Sequence, residues 1–271
     1  MKRTILAGIL AMAAGIACLA QAPAGKAPAQ PKAKSQDELK AVQAMLQAQS
    51  PDSIIAAAED LQTRFADTQF KEAAVAMEAE AYHSKNDNIK AQIYAEQALT
   101  LNPKNLQANM LVGEILVQTT APLALNRDEE YAKAEKCLTA AQDELKTTVK
   151  PNPKMADADW DGFKKETSAR LHNDVGMLAS ARKNWDVAIT EFKAAVAEGD
   201  QPAYQARLAS TYQQAGKNAE AIEICNKLLA DPYTGVPPAA VTQIKAFVTR
   251  VKNAATRASA PASAPAPAPP K

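Results

Sequence analysis

The chain has 271 residues, with 31 basic and 30 acidic side chains, nine glycines and only 5% aromatic residues. That near balance of charge excludes the basic surface a nucleic-acid groove needs to neutralise phosphates. Two histidines, without a CxxC pair, an HExxH helix or an EF-hand loop, exclude a conventional metal centre. Scarce glycine and abundant Ala, Gln, Lys and Glu favour helices over sheets, so an all-α fold is expected.

Residues 1–20 place Lys2 and Arg3 before an uncharged Ala/Leu/Ile/Gly run, then small residues at Ala17 and Ala20, the layout of a secretory signal peptide. The run from Ile5 to Ala20 is 16 residues long, short of the roughly 20 a spanning helix needs. A cleaved signal is therefore expected, with export to the periplasm or cell envelope. Cys18 supplies the alternative, lipidation as in bacterial lipoproteins, although Gly15-Ile16-Ala17 lacks the Leu-like residue expected three positions before such a cysteine. Loss of Lys2 and Arg3 would leave 29 basic against 30 acidic residues. Residues 21–35, rich in Ala, Pro, Gln and Lys, cannot bury enough apolar surface to order and read as a linker. Residues 258–271 alternate Ala and Pro and read as an extended, disordered tail.

Between these tethers, residues 36–257 read as one body of helix pairs. A first pair over residues 36–68 has Ile54, Ala58 and Leu61 on one stripe. Residues 75–103 give the clearest pair: a helix through Tyr82, a polar turn at Asn86-Asp87-Asn88, a helix through Ala91, Ala95 and Ala98, and closure at Asn102-Pro103. Val112-Gly113 and Leu116 then pair with Ala134, Leu138 and Ala141. Val175-Gly176 pairs with Trp185, Ala188, Phe192 and Ala195, on a first helix extended back toward Trp160. Leu208, Ala209 and Tyr212 pair across Gly216-Lys217-Asn218 with Ala221, Cys225 and Leu228, ending at Pro232. After Pro237-Pro238, residues Val241, Ile244, Phe247, Val248 and Val251 form one apolar stripe, the mark of a helix that caps the end of a repeat array.

The small residues seven apart, the aromatic on the first helix and the closing proline together resemble a tetratricopeptide repeat (TPR) of the exported bacterial type. Positions 91, 134, 188 and 221 are 43, 54 and 33 residues apart; against a 34-residue period this implies about 9 and about 20 extra residues. Those insertions are expected in residues 119–128 and 146–159, where Pro122, Pro151 and Pro153 break helices.

The resemblance implies a right-handed superhelical solenoid of about four to five antiparallel helix pairs, whose first helices line a concave groove. Carried over by position, that groove presents Glu80, His83, Gln107, Met110, Glu114, Arg170, Asn173, Met177, Gln213 and Gln214. Ser84, Gln118 and Ser210 lie on the same face. Amides can donate to and accept from a peptide backbone, and Met110 and Met177 would adapt to an apolar side chain. Arg170 and Asn173 alone do not reproduce the family's chaperone-tail clamp.

No GxxxxGK[ST], GxGxxG or GxSxG motif occurs, so neither a nucleotide loop nor a nucleophile elbow is expected. Asp157, Asp159 and Asp161 read as a solvated helix start rather than a calcium site. Cys137 and Cys225 lie on the apolar faces of different helices about two repeats apart, and read as buried free thiols. The expected function is a noncatalytic scaffold holding a protein or peptide, without cofactor or metal; the alternative is an envelope-assembly lipoprotein lipidated on Cys18.

Overall fold

The computed structural model describes residues 31–150 and 154–259. The signal peptide read in residues 1–20, Cys18, most of the linker, Pro151, Pro153 and the tail from residue 260 lie outside the described residues. Among the described residues there are eleven helices and no strand. They are α1 Gln36–Gln47, α2 Pro51–Arg64, α3 Lys71–Ser84, α4 Asn88–Leu101, α5 Leu106–Thr119, α6 Arg127–Thr147, α7 Asp157–Ala181, α8 Trp185–Glu198, α9 Pro202–Gln214, α10 Asn218–Ala230 and α11 Pro238–Ser259. No described helix is long and apolar enough to cross a membrane. The chain forms two compact units divided between Asp174 and Val175, within α7.

In the first unit, α1 packs with α2, α3 with α4 and α5 with α6. Local chemistry starts these helices where the sequence offers acceptors for the unpaired first-turn amides. Ser35 caps α1; Ser50 and Ser53 form a capping box on α2 with Pro51 at its first position; Asp87 caps α4 and Asn105 caps α5. Asn102 and Asn105 both donate to Glu72 Oε1, each at 2.8 Å, and so tie the α4–α5 connection to the first turn of α3.

Small residues let the second helix of each pair approach the first. Ala91, Ala95 and Ala98 of α4, and Ala134 and Ala141 of α6, are fully buried. Gly113 completes the α5–α6 crossing: a Cβ there would meet the Leu138 side chain at 2.6 Å. Tyr82 stacks on Tyr94 with ring centroids 5.1 Å apart, joining α3 to α4.

The first insertion is a seven-residue connection, 120–126. The second is absorbed largely as helix, for α6 has 21 residues and α7 has 25, against 14 in each of α3, α4 and α5. α7 thus begins before Trp160, which is buried.

The second unit comprises the end of α7 from Val175, then α8 to α11. Its crossings repeat the same device: Ala188, Ala195 and Ala221 are fully buried, and a Cβ on Gly176 would stand 2.9 Å from the Phe192 ring. α11 packs on both α9 and α10. Its Val248 and Val251 join Ala206, Ala209, Cys225 and Leu228 in one buried cluster.

Three turns within helix pairs share one backbone geometry. The Asp87 N–H donates to Tyr82 O at 3.0 Å, Asn184 to Ala179 O at 2.8 Å, and Lys217 to Tyr212 O at 2.8 Å. The residue just before each donor is left-handed: Asn86 and Lys183 at φ 60°, Gly216 at φ 77°. This is the main-chain closure that satisfies the last carbonyls of a helix. Cys137 and Cys225 are free and buried, and burial pushes both thiols above their ordinary range.

Candidate partner-binding face

Gly113 seats α5 against α6, and the next residue, about 100° further round the helix, points elsewhere: Glu114 meets α3 and α7. Four of the residues assigned to the groove from sequence, Glu80, His83, Glu114 and Arg170, come together here in the first unit. The Arg170 Nε donates to Glu114 Oε2 at 3.2 Å, and a terminal guanidinium nitrogen donates to the same oxygen. Glu114 Oε1 accepts from Gln118 Nε2 at 2.9 Å and lies 3.9 Å from His83 Nε2. On its other side the His83 ring is held by Asn88, with Nδ1 3.1 Å from Oδ1.

Electrostatics sort the acids. Burial pushes the Glu114 carboxyl up, but the Arg170 charge and hydrogen bond, together with His83 and Gln118, outweigh it and hold Glu114 below its usual range. Glu80 has no such bond. It is 8% exposed, its Oε1 has no hydrogen-bond partner, and burial drives it upward against the pull of Arg170 and His83, with the Glu114 charge adding to the rise. Burial disfavours the Arg170 cation, yet Glu114, Glu80 and Asp174 more than compensate and keep it firmly protonated. The result is one hydrogen-bonded charged pair with a second carboxyl, raised by its burial, beside it, a buried arrangement that links α3, α5 and α7.

The other assigned residues are placed differently. Met110 is 2% exposed and belongs to the core, which corrects its assignment as an adaptable groove contact. Asn173 is also buried, donating to Asp174 Oδ1 at 2.9 Å. Gln107 is half-buried and Gln118 exposed on α5. In the second unit, Met177 packs partly buried against the Phe192 and Tyr212 cluster, Gln213 is half-buried, and Gln214 is exposed with its amide donating to Ser210 Oγ at 3.1 Å. Sequence reading missed Asp174, buried one helical turn after Arg170 and acting on its charge. The four-residue spacing of opposite charges was the available signal.

Among the described residues, the hydrogen-bond partners of His83 and Glu114 are amides and a guanidinium, with no hydroxyl or thiol among them. No cluster of three or more His, Cys, Asp or Glu suited to a metal ion occurs among the described residues. Asp157 is paired with Lys150, and Asp161 with Lys164 at 3.8 Å.

No family model matches the sequence, and no curated protein matches it. Solved structures do. A thermophilic TPR protein from Thermus thermophilus aligns over 80% of this chain and 97% of its own, with 18% identity and a TM-score of 0.50. The chain has the tetratricopeptide-repeat fold. A tetratricopeptide repeat protein from Parabacteroides merdae aligns over 83% of this chain and 90% of its own, with 14% identity and a TM-score of 0.44.

Proposed function

We propose that this chain is an exported, noncatalytic scaffold that holds a protein or peptide on the first-helix face of its repeats. The observation that carries the reading is the paired state of the α3–α5–α7 charges. With Glu114 engaged by Arg170, His83 and Gln118, the face is stiff before any partner arrives, so little ordering cost falls on binding. Beside it Gln107, Gln118 and Ser84 remain open to water, at least in part, and offer amide and hydroxyl groups for an extended backbone. Export rests on the composition of residues 1–20, and the position of Cys18 at the end of that apolar run favours a lipid-anchored form as the second reading.

Crosslinking the tagged chain in its native cells identifies the partner. Replacing Gln107 and Gln118 with Ala should then weaken the complex roughly tenfold or more, at about 1 kcal/mol per hydrogen bond, while leaving the unfolding midpoint in place. Unchanged affinity rejects this face. Mass spectrometry of the mature N terminus separates the two forms: a start near Gln21 means a cleaved signal, and a diacylglyceryl mass on Cys18 means an anchor.

A further inference from the structure

Glu80 is not the only buried acid on α3. Glu78, two residues earlier, is 1% exposed and lies where the first helix pair meets the second. The three helices there share an apolar cluster of Val42 and Met45 of α1, Ala58 and Leu61 of α2, and Ala74 and Met77 of α3, and a further buried acid, Glu38 of α1, is satisfied by the Thr68 hydroxyl and the Lys34 N–H. Glu78 Oε2 accepts one hydrogen bond, from Gln62 Nε2 of α2 at 2.9 Å, and its Oε1 has no partner. The Gln62 amide is itself tied back to Ala58 O at 3.2 Å.

No cation answers this carboxyl. Facing it are Glu59 and Gln62 on α2 and Tyr94 on α4, whose ring stacks on Tyr82 of α3. α5 turns its Glu114 toward Glu80 and His83 instead, and His83 is engaged with Asn88 and Glu114. Among the described residues Glu78 forms no ion pair. At the rim of the junction Lys85 pairs with Asp52 and Lys34 with Asp67; Asp52 raises Lys85, and Lys34 lowers Asp67, so neither Lys85 nor Asp67 changes charge near neutrality.

We propose that Glu78 is a proton-operated latch, holding the first repeat (α1–α2) against the second while protonated and releasing it when ionised. The neutral acid suits a site with one amide donor and an apolar surround. Once its proton passes to water, the carboxylate is left in that surround beside Glu59, and it regains hydration only if α2 moves away from α3. Among the described residues α3 is the main neighbour of α2 beyond its own pair, so the contact that Glu78 occupies is the main one joining the α1–α2 pair to the next. Burial, with Glu59 adding to it against the Gln62 bond, pushes Glu78 up to about 7, so the latch works across neutral pH.

Hydrogen exchange with mass spectrometry on the mature chain at pH 6 and pH 8, corrected for intrinsic rates, tests this. Protection of α1–α2 should fall roughly tenfold relative to α5–α6 as pH rises, the factor a carboxyl near 7 closed and near 4.5 open confers over that interval. Glu78→Gln should abolish the difference. Gln62→Lys, which supplies a cation and keeps Glu78 ionised while docked, should flatten it as well, and serves if Glu78→Gln does not fold. Full pH dependence persisting in either folded variant overturns the latch, as does equal loss of protection in α5–α6.

Discussion

Gly113 and Leu138 share one space at the crossing of α5 and α6, where a Cβ on the glycine would come within 2.6 Å of the leucine side chain. Gly113→Ala must therefore displace Leu138 or part the helices, at about 1–3 kcal/mol, less the few tenths to 1 kcal/mol that alanine returns in a helix. Gly162→Ala on α7, where an added Cβ meets nothing within 4 Å, is the control and should stabilise by up to about 1 kcal/mol. Urea midpoints of the two variants should move in opposite directions. A shared direction would mean that helix propensity, rather than close approach, governs both sites.

The left-handed turn residues give a second contrast. Gly216 has open space around its absent Cβ, so Gly216→Ala is penalised only through its φ of 77°, by about 1 kcal/mol. Lys183 already bears that strain at φ 60°. Lys183→Gly should be neutral or stabilising by up to about 1 kcal/mol, the relief being offset by added freedom in the unfolded chain, as thermal unfolding would report.

Arg170 neutralises an otherwise acidic cluster. Arg170→Met leaves Glu114 charged and poorly hydrated, and should cost about 3 kcal/mol, toward the low end for breaking a buried pair because both groups retain some solvent. Glu80→Gln removes no hydrogen-bonded ion pair, and since burial raises the Glu80 carboxyl it should cost less than Arg170→Met, and less still as pH rises. If both variants cost the same, Glu80 would be a working partner of Arg170.

Stability of the first unit should fall as pH rises. Glu78 binds its proton more tightly folded than unfolded, so its contribution is fully present below about 4.5 and is lost as pH climbs through about 7. At about 1.4 kcal/mol per unit the whole loss is at most about 3.5 kcal/mol, and Glu80, also raised, acts in the same direction. Chemical denaturation at pH 5 and pH 8, with and without Glu78→Gln and Glu80→Gln, should show the slope and its removal. A slope of the opposite sign would mean that the depressed acids, Glu114 and Glu96, dominate.

The repeats were legible because they rest on local spacing. Ala91 and Ala98, or Ala188 and Ala195, stand seven apart on one helix face, and that face is what the partner helix covers. Glycine beside valine in α5 and α7 marked the tight crossings for the same reason. The charge network was only half legible: position on a first helix brought Glu80, Glu114 and Arg170 into one set, but whether they face a partner or one another depends on distances across 34 and 56 residues of chain. Met110 looked available for the same reason, since helical position shows direction but not what stands in front. Glu78 was invisible, because a glutamate between Met77 and Ala79 on a charged helix reads as solvated until α2 is laid over it.

The shared closure of the three turns bears on why no family model finds this chain while a solved fold overlays it. The bond that seals each turn runs from a backbone N–H to a backbone carbonyl, and its left-handed residue is Asn in one turn, Lys in another and Gly in the third. A joint specified by main-chain atoms leaves side-chain identity free to wander, so likeness between such modules is carried by geometry where it is absent from the spelling.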